Sequence, residues 1–237
     1  MDQMTGYMTS EGGTTTQGEP TLSSVSLIAR KGQVMAIATE EMLADVAINL
    51  VSAYAVRAGK ALGALEDNQF FKDGSGTAPN ISAFLAGTTY TETTSAALSY
   101  TDVIGMYFAL PQAYRDQGKW LIADNVLILL SALKDANARP FYSTMTELPR
   151  PLVDDPTAIG TLLGTPVYSV PFTNGTIWFG DPSAAYAVGS RQGIESRVDT
   201  SVGFVAGNVY FKISQRFDGN NLDAIAGRNC TGITSVN

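Results

Sequence analysis

The chain predicts an α+β fold: a long helix, a helix–strand–helix stretch that reads as an α/β subdomain, and a strand-rich second half. Three observations carry this reading. Apolar residues recur at helical spacing from about Leu50 to Phe71. Two helical patterns flank the short apolar run "KWLIA" inside 101–134. From Thr165 onward the pattern turns to period-two alternation, punctuated by turn residues. At 237 residues the chain fits one large domain or two small intertwined ones, with a sizeable core.

Each element follows in order. Residues 1–24 are rich in Thr, Gly and Ser, and Tyr7 is their one aromatic. They bring too little apolar surface to order themselves. A disordered tail and an arm that orders on a neighbour both remain open. "VSLIARKGQVMAIATEE" reads as strand, turn at Lys31-Gly32, strand. Thr39 is placed to cap a short helix over 40–47, with Glu40 and Glu41 in its first turn, where carboxylates favour the helix dipole. The long helix carries Leu50, Tyr54, Ala58, Ala61, Leu62 and Leu65 on one stripe. Many of these are small, so another element can approach closely. "KDGSGTAPN" then follows a helix rather than opening one and lacks a Gly-Lys-Ser/Thr ending, so it is no phosphate loop.

Thr101 is a candidate cap for a helix with Val103, Ile104, Tyr107, Phe108 and Leu110, interrupted at Pro111 and ended at Arg115-Asp116. Asp124 caps the next helix, through Lys134. A Pro-rich connection (Pro140, Pro149, Pro151, Pro156) leads to "TPVYSVPFTNGTIWFGD", where Asn174-Gly175 signals a hairpin. "GDPSAAYAVGSRQGIE" reads either as a ligand loop or as structural corners; in the second reading Gly180, Gly189 and Gly193 are corners that need positive φ or close approach, and Asp181 is a turn former. Arg191 is either a solvated strand residue or an inter-subunit contact. A long alternating strand turns at Asp218-Gly219 and a short segment closes the chain.

Composition narrows function. Charged residues are only 16%, well below the usual quarter, so much of the surface is expected to be covered by partners or by Ser, Thr and Gly. The net charge is −7 and the longest basic run is Arg30-Lys31, which leaves no footprint for specific nucleic-acid binding. There is no histidine, hence no imidazole base, ligand or pH switch. The single Cys230 excludes an internal disulfide and a multi-thiolate zinc site. No run is long and apolar enough to span a bilayer, and the acidic, polar start is no signal peptide. An enzyme reading would rest on adjacent Asp154 and Asp155, which are more simply a solvated turn.

The second half of the chain adds a resemblance. "LLGTPVYSVPF...GTIWFGDPSAAYAVGSRQGIESRVD...FVAGNVYFKISQRFDG" is similar to the C-terminal half of tailed-bacteriophage major capsid proteins, whose fold is shared with herpesvirus floor domains and encapsulins. The matching positions are Gly164, Pro166, Val167, Gly180, Asp181, Ala185, Tyr186, Gly193 and Arg216. The stretches from "QVMAIATEEMLADV" to "FFKDGSGT" and from "YTDVIGMYF" to "NARPF" resemble the family's spine-helix region and its helix, buried Trp strand and second helix. The likeness runs over roughly 25–228, and the order and spacing of its motifs carry it.

The resemblance implies the phage major-capsid fold: an N-terminal arm and extended loop (1–33), a peripheral domain (34–96 with 203–220), an axial α/β domain (97–202) and a closing segment (221–237). It implies a shell subunit that forms pentamers and hexamers around double-stranded DNA, without cofactor or membrane. Its further partners would be portal, scaffolding and decoration proteins, and its place the virion capsid, assembled in the host cytoplasm. The alternative is an encapsulin-like compartment with a protein cargo. Structural turns are expected at Gly164, Asn174, Gly175, Gly180, Asp181 and Gly193. Inter-subunit contacts are expected at Tyr7, Thr16, Glu19, Leu22, Arg30, Lys31 and Arg191. Two departures stand out. Only some 24 residues precede Val25, which fits a processed, truncated or naturally short chain. Residues 1–29 also hold no Lys, whereas some family members cross-link through a loop Lys.

Overall fold

In the computed structural model, β1 (Arg30–Thr39) leads through α1 (Glu40–Asp45) into the 22-residue α2 (Leu50–Phe71). The residues described are 8, 10–13, 24–45, 50–72, 84–85, 88–91, 97–133, 143–144 and 157–236. β1 joins the two longest strands, β9 (Tyr186–Asp199) and β10 (Asn208–Asn221), in an antiparallel sheet of order β1-β10-β9. α2 lies across one face of that sheet. Its Ala58 and Leu62 are buried with Ile213, against Val34 and Leu65, and its Tyr54 ring stands 5.7 Å from Phe211. Burying a side chain such as Leu62 stabilises by about 1.5–3 kcal/mol. Ala61, placed on the apolar stripe from spacing alone, faces solvent.

The second layer is a mixed seven-stranded sheet of order β2-β11-β8-β4-β7-β6-β5. Its strands are β2 (Thr88–Thr89), β4 (Lys119–Ile122), β5 (Ser143–Thr144), β6 (Gly160–Leu162), β7 (Thr165–Ser169), β8 (Ile177–Gly180) and β11 (Gly227–Cys230). α3 (Tyr100–Ala109), α4 (Gln112–Arg115), α5 (Asp124–Ala132) and α6 (Pro182–Ala185) punctuate it, and β3 (Ala97–Leu98) pairs separately with β12 (Ser235–Val236). Trp120, Ile122, Ile177, Trp178 and Phe179 are fully buried in its core. Trp120 stacks on Phe179 at 4.4 Å and donates its indole N–H to the Leu162 carbonyl. Phe70, Tyr186 and Phe217 carry that core to the three-stranded sheet, so the two layers share one apolar interior. Among the described residues no helix is long and apolar enough to cross a membrane.

Several expectations are corrected. Lys31-Gly32 is not a turn, since both lie inside β1 opposite Arg216 and Gln215. Gly32 is there for space: a Cβ would stand 2.9 Å from the Phe217 ring and 3.3 Å from Leu62 Cδ1. Asp218-Gly219 is likewise inside β10, and a Cβ on Gly219 would strike the Tyr186 hydroxyl. Asn174-Gly175 does form a turn, with Gly175 at φ 84°, yet it makes no hairpin. β7 and β8 pair on opposite sides of β4, whose Trp120, Leu121 and Ile122 are buried, so the strand sits inside the sheet with a neighbour on each edge. The cap of α3 is Ser99, not Thr101. Ser99 and Asp102 form a reciprocal capping box. Asp124 is the first helical residue of α5, and Ala123 precedes it as the cap position. Thr39 does cap α1, accepting from Met42 N at 3.2 Å.

Candidate assembly surface

β9 and β10 form a hairpin that pairs from Tyr186↔Asn221 to Asp199↔Tyr210. The sequence predicts a corner at Gly193. Gly193 is in fact inside β9, with its φ outside the left-handed region and nothing within 4 Å of a Cβ built there. It belongs to a bulge in which Gly193 and Ile194 together face Gln215. A second register shift leaves Arg191 as the extra residue between the Gln192–Arg216 and Ser190–Phe217 pairs. Bulges bend a strand and re-aim side chains. Arg191 is exposed.

The hairpin ends in residues 200–207. Asp199 accepts from the backbone N–H and the hydroxyl of Ser201, and these bonds hold its carboxyl below the usual range. A 3-10 turn at Phe204–Ala206 closes on Gly207 at φ 62°, whose carbonyl accepts from Glu40 N at 2.8 Å. This well-bonded tip presents Val202 (76% exposed), Phe204 (82%) and Val205 (102%) to solvent. Composition alone did not reveal it, because "SVGFVAG" reads like the approach to a core strand.

At the other end of the hairpin sits a buried carboxylate that sequence reasoning took for a turn residue. Asp218 accepts from Ile28 N and faces Arg30 Nε at 4.0 Å. Asn220 donates to Ser26 O, and Leu27 packs over Gly189. Residues 24–29 therefore rest on their own chain. Tyr7, Thr16, Glu19 and Leu22, like Asp154 and Asp155, lie outside the described residues.

The remaining predicted positions are spread over the second layer. Gly164 (φ 78°) and Leu163 (φ 52°) make the tight β6–β7 turn, supported by Thr165 Oγ1 donating to Leu162 O. Gly175 donates its N–H to Asn125 Oδ1 at 3.1 Å. Gly180 ends β8 where a Cβ would collide with the Ala226 carbonyl. Asp181 caps α6 through Ser183 N at 2.9 Å. The structure brings none of these together around a cleft, so they position backbone. Lys31 projects from the face of the three-stranded sheet opposite α2, beside Lys212, and the crowding of that ammonium holds its pKa below the usual lysine range. Among the described residues no group of acidic, thiol or imidazole side chains is placed to hold a metal ion.

The phage capsid family profile matches residues 1–226. No curated protein matches the chain. Among solved structures, the chain is similar to the capsid of a native GTA particle computed with C5 symmetry, at 18% identity and TM-score 0.73, covering 99% of this chain and 82% of that one. It is similar to the capsid of an empty GTA particle at 20% identity and TM-score 0.70, covering 89% and 75%. A chain of Gordonia phage Cozz matches at 14% identity and TM-score 0.67, covering 98% and 78%.

Proposed function

The chain belongs to the phage capsid family, and from that premise we propose how it works: it is a major capsid protein whose copies build an icosahedral shell. It acts by self-association, as a structural protein rather than an enzyme. The single observation that carries the assembly reading is the hairpin tip. Three large apolar side chains held out on a bonded turn have no use in an isolated subunit, and an exposed apolar patch of this kind marks a contact site.

The finer reading is as follows. The peripheral unit is α2 with the three-stranded sheet, including β9, and the axial unit is the seven-stranded layer with α3–α5. Residues 231–236 close the chain. Copies meet head to tail, and rotations that close give both pentamers and hexamers. The contents are double-stranded DNA, held without sequence preference. The family match does not favour the compartment alternative with a protein cargo. Portal, scaffolding and decoration proteins are further partners, and assembly takes place in the host cytoplasm. Electron microscopy of the purified chain, followed by nuclease treatment and extraction of the particles, tests this. Closed shells that protect DNA are expected. Shells filled with a protein instead, or a chain that stays monomeric at high concentration, overturn it.

A further inference from the structure

Alternation along the three-stranded sheet puts Gly32, Val34, Ala36 and Ala38 of β1 toward α2 and leaves Lys31, Gln33, Met35 and Ile37 on the bare face. Register puts Lys31 beside Arg216, and Lys212 beside both Met35 and Arg197. Four cations thus share one bare face of a chain whose net charge is −7. The carboxylates on that face are Glu195 and Asp199. Glu195 pairs with Arg197 at 3.4 Å, and Asp199 bonds Ser201. Lys31, Lys212 and Arg216 have no carboxylate within ion-pair distance among the described residues. Lys31 and Lys212 also crowd each other, an arrangement that calls for an anion.

α1 shows the opposite imbalance. Glu40, Glu41 and Asp45 are exposed, no residue of the helix is buried, and none of the three has an ion-pair partner among the described residues. Leu43 of α1 packs with Ala38, Val209 and Phe211 on the α2 side of the sheet. The acidic helix and the basic face therefore stand on opposite sides of one sheet, and they cannot meet within a chain.

We propose that the bare face of the three-stranded sheet is a docking surface for α1 of a second copy, with Lys31, Lys212 and Arg216 receiving Glu40, Glu41 and Asp45. This rests on the reading that copies self-associate. The two patches are within reach of each other through the long Lys and Arg side chains. Lys212 and Arg216 are four strand residues apart, about 13 Å, and Glu40 to Asp45 spans about 8 Å of helix. Met35 and Ile37, exposed beside the cations, suit the half-exposed Met42 of α1 and a protein partner better than a phosphate backbone. Asp2, Glu11 and Glu19 of the N-terminal segment are too sparse along the chain to fill so small a cluster. A contact between two different patches of identical copies is heterologous, the type that closes into rings.

Zero-length carbodiimide coupling of particles assembled from mixed light and heavy-isotope chains tests it. Amide bonds between Lys31 or Lys212 of one chain and Glu40, Glu41 or Asp45 of another are expected. Coupling of those lysines only to Asp2, Glu11 or Glu19, or no coupling to α1 at all, overturns the proposal. In parallel, the pairs Lys31→Glu with Lys212→Glu, and Glu40→Lys with Glu41→Lys, should each lower particle yield at least tenfold while the subunits stay folded by circular dichroism. All four changes in one chain should restore it. Reversed pairs that assemble like the parent overturn the docking and leave the shell reading intact. So does a face-reversed particle that forms normally and only loses DNA. A parent chain that forms no particle overturns both readings.

Discussion

Asp218 is 5% exposed and ties the incoming chain to the sheet through Ile28 N and Arg30. Removing its carboxylate takes the charged acceptor from the part-buried Ile28 N–H and from the partly exposed Arg30 guanidinium, a loss of about 1–3 kcal/mol. Asp218→Ala should therefore lower the midpoint of subunit unfolding and speed tryptic cleavage after Arg30, with the rest of the digest unchanged. Equal cleavage rates in parent and variant would show that the anchor lies elsewhere. Beside it, burial and then the Asp218 charge push the Tyr186 hydroxyl well above its ordinary 10.0. Tyr114, bonded to Asp223, and the desolvated Tyr90 move the same way. For an acid whose folded pKa is raised, the folded state keeps a proton that the unfolded chain has lost. Stability then falls as pH climbs past about 10 toward the folded value. Alkaline titration followed by circular dichroism should show that decline, and Tyr186→Phe should make it shallower. An unchanged slope in that variant counts against the assignment.

At the scale of elements, helices were the legible part and strand partners were not. The 50–71 helix was readable because its stripe spans many turns, and the capping of α1 by Thr39 followed from local chemistry. The misread glycines share one physical cause. Gly32 and Gly219 lack a side chain because Phe217, Leu62 and Tyr186 occupy that space, and those neighbours are distant in sequence. A Lys-Gly or Asp-Gly pair looks the same whether it supplies a turn or a gap. The Asn174-Gly175 turn was local and visible, but the insertion of β4 between β7 and β8 was not. Gly32→Ala tests the gap reading, since its Cβ would crowd Phe217 at 2.9 Å. Overpacking of this kind costs about 1–3 kcal/mol, so the variant should melt earlier. A turn glycine would respond differently, because Ala would then strain only backbone. Leu62→Ala should cost about 2–5 kcal/mol, the usual loss for a buried leucine, and unfolding in denaturant would measure it.

At the scale of the whole molecule, the tip and the core answer to different assays. Phe204 and Val205 touch little of their own chain, so Phe204→Ser with Val205→Ser should leave the unfolding midpoint of the subunit within about 0.5 kcal/mol of the parent. The same pair should reduce particle yield in sedimentation, whereas Leu62→Ala should reduce soluble folded subunit first. A tip variant that assembles at the parent's yield would remove the observation on which the assembly reading stands.

The shell these subunits form should also be held without covalent links. An isopeptide bond needs an amine that is deprotonated beside a carboxylate in a dry pocket. The lysines are Lys31, Lys60, Lys72, Lys119, Lys134 and Lys212, and none falls in 1–29. Lys31 is nearest to that segment, and the neighbouring Lys212 ammonium lowers its pKa. Yet within its own chain it stands exposed among Lys212, Arg197 and Arg216 with no carboxylate in ion-pair distance among the described residues, and a carboxylate of a second copy docked on that open face would keep the ammonium charged rather than leave a dry, neutral amine. Burial at apolar contacts and charge matching between copies must then supply the cohesion, and the second of these weakens as salt screens it. Particles boiled in detergent under reducing conditions should run as one band at the mass of a single chain, 25.1 kDa. A ladder of covalent oligomers would overturn this, and loss of the ladder in Lys31→Arg would name the nucleophile.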